Sequence, residues 1–517
     1  MTSSMQLGLL VALLWAVWKL FRNLIVRSPL DNIPGPEEAT FWTGHVKALF
    51  NRHGWDFHDR IVQQYGPVSK VYTAFGTPGL YVYDPKALNS IIAKDQYTYE
   101  EPAWFVRWNR IVLGPSLFAT GAPPVVHRLR DAVSAKVNGT SGEVDVIGWM
   151  TRTALELIGQ GGLGYSFDPL VTDTTNEFGG AIKAFAPTTF TLQALRMLLP
   201  YSILPYVPLS IRRQVARWVP HKNAQKMRAI SETITAHSKK IYEEKMAALA
   251  QGDDIAVHQI GEGKDIMSIL IRANTAASQE DKLPEEELIA QMSALVFAAT
   301  DTTSNALART LHILSERQDA QDKVRMELMQ AVPVGEDIPY DQLVDLPYLD
   351  AVCRETLRLH PPVNFLGRET RDDIIMPLSE PVQGLDGTSV SEIVVPKDTT
   401  VFISIRGCNR STAIWGEDAL EWKPERWLQP LPKTLGEAHV PGIYANLMTF
   451  LGGGRACLGF KFSQLEMKVV LAVMLRSFRF LPGDKEIYWN LAGINYPSVG
   501  KESAKAEMPM NVEAIPV

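Results

Sequence analysis

Cys457 sits in the run Phe450-Leu451-Gly452-Gly453-Gly454-Arg455-Ala456-Cys457-Leu458-Gly459, and no other stretch of the 517 residues so narrows what the chain can become. A cysteine thiolate can serve as the axial ligand of a haem iron. A loop doing so must lie flat beneath a porphyrin with backbone N–H groups turned toward the sulfur. Gly453 and Gly459 suit that approach, because they lack a Cβ and tolerate positive φ. Arg455 is placed to reach a haem propionate as a charge-assisted donor. Phe450 is placed to shield the sulfur from water, which tunes the iron. A lone cysteine is more often simply buried. The joint presence of Phe450, Gly453, Arg455, Cys457 and Gly459 favours the ligand.

Composition removes other uses of a cysteine. Only Cys353, Cys408 and Cys457 occur, widely spaced, so neither a disulfide framework nor a four-thiolate iron–sulfur cluster can form within the chain. No Cys-x-x-Cys pair marks a structural zinc, and Cys353 and Cys408 read as packing residues. The net charge of −6, with no basic stripe interleaved with aromatics, argues against nucleic-acid binding. A 46% hydrophobic and 21% charged composition describes a globular chain with a large core. Length alone suggests about three domains. No Gly/Ser linker or charged spacer divides the chain beyond its first part, so 41–517 is read as one catalytic domain.

The first part reads as an anchor. Thr2 to Trp18 carries no charge, Leu7–Trp18 is apolar apart from Gly8, and Lys19, Arg22 and Arg27 follow. A secretory signal has the opposite charge order and a small-residue cleavage site. Positive charge after the apolar stretch keeps that flank cytosolic. Trp15, Trp18 and a snorkelling Lys19 extend a stretch slightly shorter than the ~20 residues of a comfortable span. Residues 1–28 are therefore expected to form a transmembrane anchor with a basic flank. Residues 29–40, with Ile33-Pro34-Gly35-Pro36, form a stiff hinge. A cytosolic body would leave the formal glycosylation acceptors Asn138 and Asn409 unmodified.

Downstream the pattern is mostly helical. Pro284 followed by Glu285, Glu286 and Glu287 starts a helix that runs to about Ser315. A second spans Leu346 to Leu359 and stops before Pro361-Pro362, and a third runs from Phe462 to Leu475. Leu80–Tyr83, Val394-Val395 and Val401–Ile403 read as short strands. Gly159-Gln160-Gly161-Gly162-Leu163-Gly164 satisfies the dinucleotide pattern Gly-x-Gly-x-x-Gly. That fingerprint needs a strand before it and a helix after it. Here Thr151–Ile158 has helical periodicity and Tyr165–Pro169 is a turn, so the run reads as a helix C-terminus. With no other nicotinamide or flavin fingerprint, reducing electrons must come from another protein.

The cysteine run resembles the haem-binding signature of the cytochrome P450 family, Phe-x-x-Gly-x-Arg-x-Cys-x-Gly. Three more segments resemble family motifs in the family's order: Ala298-Ala299-Thr300-Asp301-Thr302, Glu355-Thr356-Leu357-Arg358 and Pro424-Glu425-Arg426-Trp427. The likeness covers essentially the whole chain and is nearest in texture to fungal membrane-bound members. It implies a mainly α fold with a small β-rich subdomain, the cytochrome P450 fold, binding haem b. It also implies an endoplasmic-reticulum membrane location with the catalytic domain facing the cytosol.

The resemblance assigns roles. Ala298 and its small neighbours let the central helix pass close over the porphyrin face opposite Cys457. Thr302 in mid-helix can bond back to a carbonyl four residues earlier. It would hold a hydrogen bond to bound dioxygen while Asp301 relays protons from solvent. Ala299 stands where the family has glycine, which tightens the pocket. Glu355 and Arg358 share a helix face and, with Arg426, support the cysteine loop. Arg455, then Arg368, then Arg130 are the propionate partners, Arg130 sharing a helix face with His127. Trp104, Phe105, Trp108, Phe118, Phe297, Val363, Phe365, Leu366, Leu491 and Ile494 suggest an apolar pocket. Leu198–Val207 resembles a flap dipping into the membrane.

The activity implied is monooxygenation of a lipophilic substrate, terpenoid or sterol-like first, with fatty acids and aromatic xenobiotics next. Electrons would come from NADPH–cytochrome P450 reductase, a diflavin protein docking where Arg455 and Lys461 add positive charge, with cytochrome b5 as a second donor. Two alternatives stay open. A haem-thiolate isomerase or dehydratase would rearrange a substrate peroxide without reductase, and the Asp301-Thr302 relay would have no task there. A non-catalytic membrane haem- or lipid-binding protein would show no turnover at all.

Overall fold

The computed structural model describes residues 28–102, 123–137, 140–168, 170, 177–192, 207, 209–250, 265–333 and 336–515. The expected anchor up to residue 27, Trp104, Phe105, Trp108, Phe118, Asn138 and nearly all of the flap lie outside them. Among the described residues no helix is long and apolar enough to cross a membrane. Two compact units are present, each assembled from three stretches of chain. The first takes its described residues from 1–103, 365–419 and 432–456, the second from 104–364, 420–431 and 457–517.

The first unit is built on a five-stranded sheet. Its strands are β1 (Val68–Tyr72), β2 (Pro78–Val82), β3 (Tyr99–Glu100), β4 (Phe365–Thr370) and β5 (Thr400–Ser404), in the order β1-β2-β5-β4-β3. β2 and β5 are parallel, and the other neighbours are antiparallel. β-Branched and aromatic residues suit a pleated buried surface, and Val71, Tyr81 and Phe402 pack with Leu49, Phe57 and Ile61 in the core. The expected strand near Leu80 is β2. The one near Val394 is half of a hairpin, Ile374–Gln383 with Ser389–Val395.

A polar chain crosses this core. His58 Nδ1 lies 3.0 Å from the Tyr81 hydroxyl and Nε2 lies 3.0 Å from the Leu49 carbonyl. Ser404 Oγ donates to the Tyr81 oxygen at 2.8 Å. Tyr81 therefore donates to Nδ1 and the imidazole N–H sits on Nε2, which satisfies every buried group.

The second unit is helical. Its principal helices are α1 (Pro123–Lys136), α2 (Val146–Ile158), α3 (Glu177–Thr191), α4 (Glu285–Glu316), α5 (Pro347–Leu359) and α6 (Phe460–Ser477). Further helices, the longest of them Lys222–Ala250, a three-stranded sheet and a hairpin also belong to it. Pro284 is the N-cap of α4, one residue before the position read from sequence, and the glutamates fill the first turn. Pro347 opens α5, whose first N–H groups meet the Glu327 carboxylate: Tyr348 N at 2.7 Å and Leu349 N at 2.8 Å.

The glycine run 159–164 closes α2, with Gly164 in the left-handed region at φ 56°. The buried Glu156 carboxylate accepts from the N–H groups of Phe167 and Asp168 at 2.8 and 2.7 Å. The N–H groups that follow the glycines are thus already used.

Candidate active site

The cysteine loop is divided between the units, Ala456 ending a stretch of the first and Cys457 opening one of the second. In the first unit the segment leading to Arg455 is pinned by backbone crowding. Gly453 has φ +63°, and a Cβ there would lie 1.9 Å from the Ile92 carbonyl oxygen. Gly452 is tighter still: its Cβ would lie 1.8 Å from the Pro441 oxygen. Leu451 adopts φ 55°, a strained geometry for a branched side chain. Asn409 holds the approach, accepting from Met448 N at 2.8 Å and donating to Thr449 Oγ1 at 2.8 Å. Phe450 packs edge-on against Tyr444, ring centroids 5.5 Å apart.

Arg368 and Arg455, the two leading propionate candidates, come together in this unit on one carboxylate. Arg368 Nη2 lies 3.6 Å from Glu101 Oε1, and Arg455 Nη1 lies 3.6 Å from Glu101 Oε2. Arg368 is buried, and desolvation lowers its pKa, opposed by Glu101 and reinforced by Arg455. Among the described residues its guanidinium has one partner at hydrogen-bond distance, the Gly367 carbonyl at 2.9 Å. Glu101 is a member of this cluster that sequence reading missed, because only the pairing of β3 with β4 brings it beside Arg368.

In the second unit Cys457 precedes α6. The residue is exposed, whereas Cys353 and Cys408 are buried. Protein around the sulfur nonetheless raises its pKa by desolvation, and the Gly459 N–H pulls it down again. Gly459 itself has φ −85°, and no protein atom lies within 4 Å of a Cβ placed on it. The positive φ that Gly459 tolerates is thus not used, and its N–H is directed at the Cys457 sulfur.

Glu355, Arg358 and Arg426 form one buried network. Arg358 forks onto Glu355, Nε to Oε2 at 2.9 Å and Nη2 to Oε1 at 2.8 Å, both side chains fully buried. Glu355 also accepts from Lys423 N at 3.0 Å, Trp427 Nε1 at 3.0 Å and Arg426 Nε at 3.4 Å. Arg358 reaches the Glu421 carbonyl at 3.1 Å. Helix α5 is thereby fastened to the segment 421–427.

On α4, Thr302 Oγ1 donates back to the Ala298 carbonyl at 2.6 Å, as mid-helix threonines do. Its hydroxyl hydrogen is spent there, so its oxygen presents lone pairs. Phe297, Ala298, Ala299 and Thr302 are half-buried, while Thr300, Asp301 and Thr303 are buried. Asp301 does not face solvent: its Oδ1 meets Lys183 Nζ of α3 at 2.7 Å and Asn305 Nδ2 at 3.1 Å. The relay expected of Asp301 would have to run through a buried, ion-paired carboxylate. Lys183 is a partner of Asp301 that sequence offered no means of finding.

The remaining candidates separate. Phe297 packs on Phe185 of α3, centroids 4.5 Å apart. Val363 lies in the segment 361–364 bound to Asn495, whose N–H and side chain donate to the Pro362 and Pro361 carbonyls at 2.9 and 3.0 Å. That brings Leu491 and Ile494, both buried, to the same part of the unit. Phe365 instead packs in the core of the first unit, stacked 5.0 Å from His58 and edge-on to Phe402, because that face of β4 turns inward. Arg130 on α1 is engaged by its neighbour Asp131 at 2.7 Å, and His127 by Asp337 at 2.8 Å.

Comparison with known proteins gives a consistent picture. A family model described as Cytochrome P450 matches residues 123–491. Cytochrome P450 monooxygenase 91 of Postia placenta is 49% identical, with 100% of this chain and 99% of that protein covered. A ganoderic acid synthetase of Ganoderma lucidum is 44% identical over 99% of both chains. The crystal structure of a cytochrome P450 (CYP102L1) superposes with a TM-score of 0.69 at 20% identity, covering 94% of this chain and 100% of that one, which supports the fold.

Proposed function

Since the chain belongs to the cytochrome P450 family and is an oxidoreductase of its monooxygenase class, we propose that it oxidises a lipophilic, terpenoid or sterol-like substrate at the membrane of the endoplasmic reticulum. The observation that carries the substrate class is the 44% identity, over 99% of both chains, to a protein named for ganoderic acid, a terpenoid. The paired Phe185 and Phe297 rings, and Leu491 and Ile494 near Val363, supply apolar walls that suit such a molecule. Residues 1–28 form the anchor, 29–40 the hinge and 41–517 the catalytic part. NADPH–cytochrome P450 reductase supplies the electrons.

The residues present fit haem b. Cys457 is the exposed cysteine and has the Gly459 N–H directed at its sulfur. A thiol held up by desolvation becomes a stable thiolate only beside a positive partner, and a ferric centre is such a partner. Arg368 and Arg455 would pair with the propionates. When bound, the haem would supply dioxygen activation, one oxygen atom going to the substrate and the other leaving as water with two electrons from the reductase and two protons.

The chain's own side chains do the rest. Thr302, its hydrogen committed to Ala298, offers an acceptor oxygen beside the half-open face of α4. Asp301, held by Lys183 and Asn305 one residue before Thr302, is the carboxylate assigned to proton delivery. Glu355, Arg358 and Arg426 keep α5 and the segment 421–427 rigid.

Reductase-supplemented membranes carrying the protein, incubated with a terpenoid and sterol library, are expected to give products one oxygen atom heavier, dependent on NADPH. Conversion of peroxides without reductase, and no oxygen gain from any substrate, would overturn this reading.

A further inference from the structure

Glu101 stands between the two arginines assigned to the propionates, and nothing in the proposed reaction uses it. Its position is set by backbone. Tyr99 and Glu100 pair with Thr370 and Glu369, which places the next residue opposite Arg368. Its carbonyl accepts from Arg371 Nη2 at 3.1 Å. Pro102, immediately after, rests against Gly367, whose added Cβ would meet the proline ring at 3.1 Å.

The carboxylate is therefore delivered to this place by the sheet edge, whatever its own ion pairs contribute. Those pairs are loose. Both guanidinium contacts are 3.6 Å, beyond a hydrogen bond. By contrast Arg371, on the same strand edge, makes tight bonds to Glu100 at 2.8 Å and Glu369 at 2.7 Å. The sequence Glu100-Glu101 thus puts one acid on a dedicated arginine and holds the other at arm's length from two.

We propose that Glu101 is a positioning residue of the propionate site, whose fixed negative charge weakens the hold of Arg368 and Arg455 on the haem carboxylates. The inference rests on the haem-thiolate reading above. Two arginines and one carboxylate leave a net single positive charge for two propionates. At these separations and with Glu101 only 23% exposed, the repulsion is not fully screened. Glu101 also withholds positive potential from the haem, so it favours the ferric state.

Glu101→Gln keeps the shape and removes the charge. Haem transfer from the purified holoprotein to excess apomyoglobin should slow about threefold to tenfold, given the strength of partly buried charge pairs. The reduction potential, read by spectroelectrochemistry, should move positive. Glu101→Asp, which keeps the charge, should lose haem at a rate nearer the parent than Gln does. An unchanged or faster loss in Glu101→Gln, with the thiolate-type carbon monoxide spectrum intact in both proteins, overturns the proposal. Absence of that spectrum from the parent protein overturns instead the haem-thiolate reading on which it stands.

Discussion

Lys183 Nζ lies 2.7 Å from Asp301 Oδ1, tying α3 to the middle of α4 through side chains only 17% and 4% exposed. Asn305 secures the same carboxylate from one turn further along α4. Removing one member of a buried pair strands the other charge, at a cost of roughly 3–5 kcal/mol. Lys183→Met should therefore lower the unfolding midpoint, and the double variant Lys183→Met with Asp301→Asn should recover much of that loss. Asp301→Asn alone should cut turnover about 100-fold with little change in KM, as loss of a proton-transfer group does. Steady-state kinetics and thermal unfolding of the three variants check both statements. A turnover equal to the parent's in Asp301→Asn would remove Asp301 from the reaction.

Glu355 accepts from Arg358, Lys423, Arg426 and Trp427 while wholly buried. Alanine there leaves two guanidinium groups without their carboxylate. Glu355→Ala is expected to lose roughly 3–5 kcal/mol of stability and to yield little haem-loaded protein by pyridine haemochrome assay. Glu355→Gln keeps an acceptor oxygen and should fall between parent and alanine. Normal haem content in Glu355→Ala would refute the supporting role.

Two buried titratable groups in different parts of the chain bound the stable pH range from opposite sides. His58 is held neutral by burial, its pKa lowered to about 4, with the Leu49 carbonyl opposing the shift. The unfolded chain binds that proton near pH 6.5, so stability present above it is lost as pH falls toward about 4. The full shift corresponds to about 3 kcal/mol. Burial raises the Glu466 pKa well above the carboxylate range, and neither of its oxygens has a hydrogen-bond partner among the described residues. Its contribution runs the other way: it is present below the unfolded value and declines as pH rises. Urea unfolding between pH 5 and 8 should show a flatter acid limb in His58→Gln. Glu466→Gln should gain on the parent as pH rises. Parallel pH profiles for parent and variants would contradict both assignments.

Local features were legible in the sequence, and those made by distant pairing were not. Pro284 with its glutamates and the Pro361-Pro362 break define α4 and α5 because backbone sterics act within a few residues. Glu355 and Arg358 meet because positions three apart share a helix face. Thr302 bonds to Ala298 for the same local reason. Lys183 was invisible because it is 118 positions from Asp301 and nothing in a helical lysine marks its partner. Glu101 was missed because its meeting with Arg368 depends on strand register. The packing of Phe365 on His58 and Phe402 was not legible either, because apolar character does not say which face of β4 turns inward.

Gly452 and Gly459 flank Cys457 and look alike in sequence, but the structure separates them. A Cβ on Gly452 would sit 1.8 Å from the Pro441 carbonyl oxygen, a backbone atom that cannot step aside. A Cβ on Gly459 meets no protein atom within 4 Å, and its φ of −85° is ordinary for alanine. Gly452→Ala should therefore displace the loop and destabilise the protein by about 1–3 kcal/mol, as overpacking does, with loss of haem on purification. Gly459→Ala should keep the parental unfolding midpoint in haem-free protein, since its N–H to Cys457 survives the change. Differential scanning fluorimetry of both haem-free variants reads the contrast, and equal midpoints would show that Pro441 yields to the added methyl.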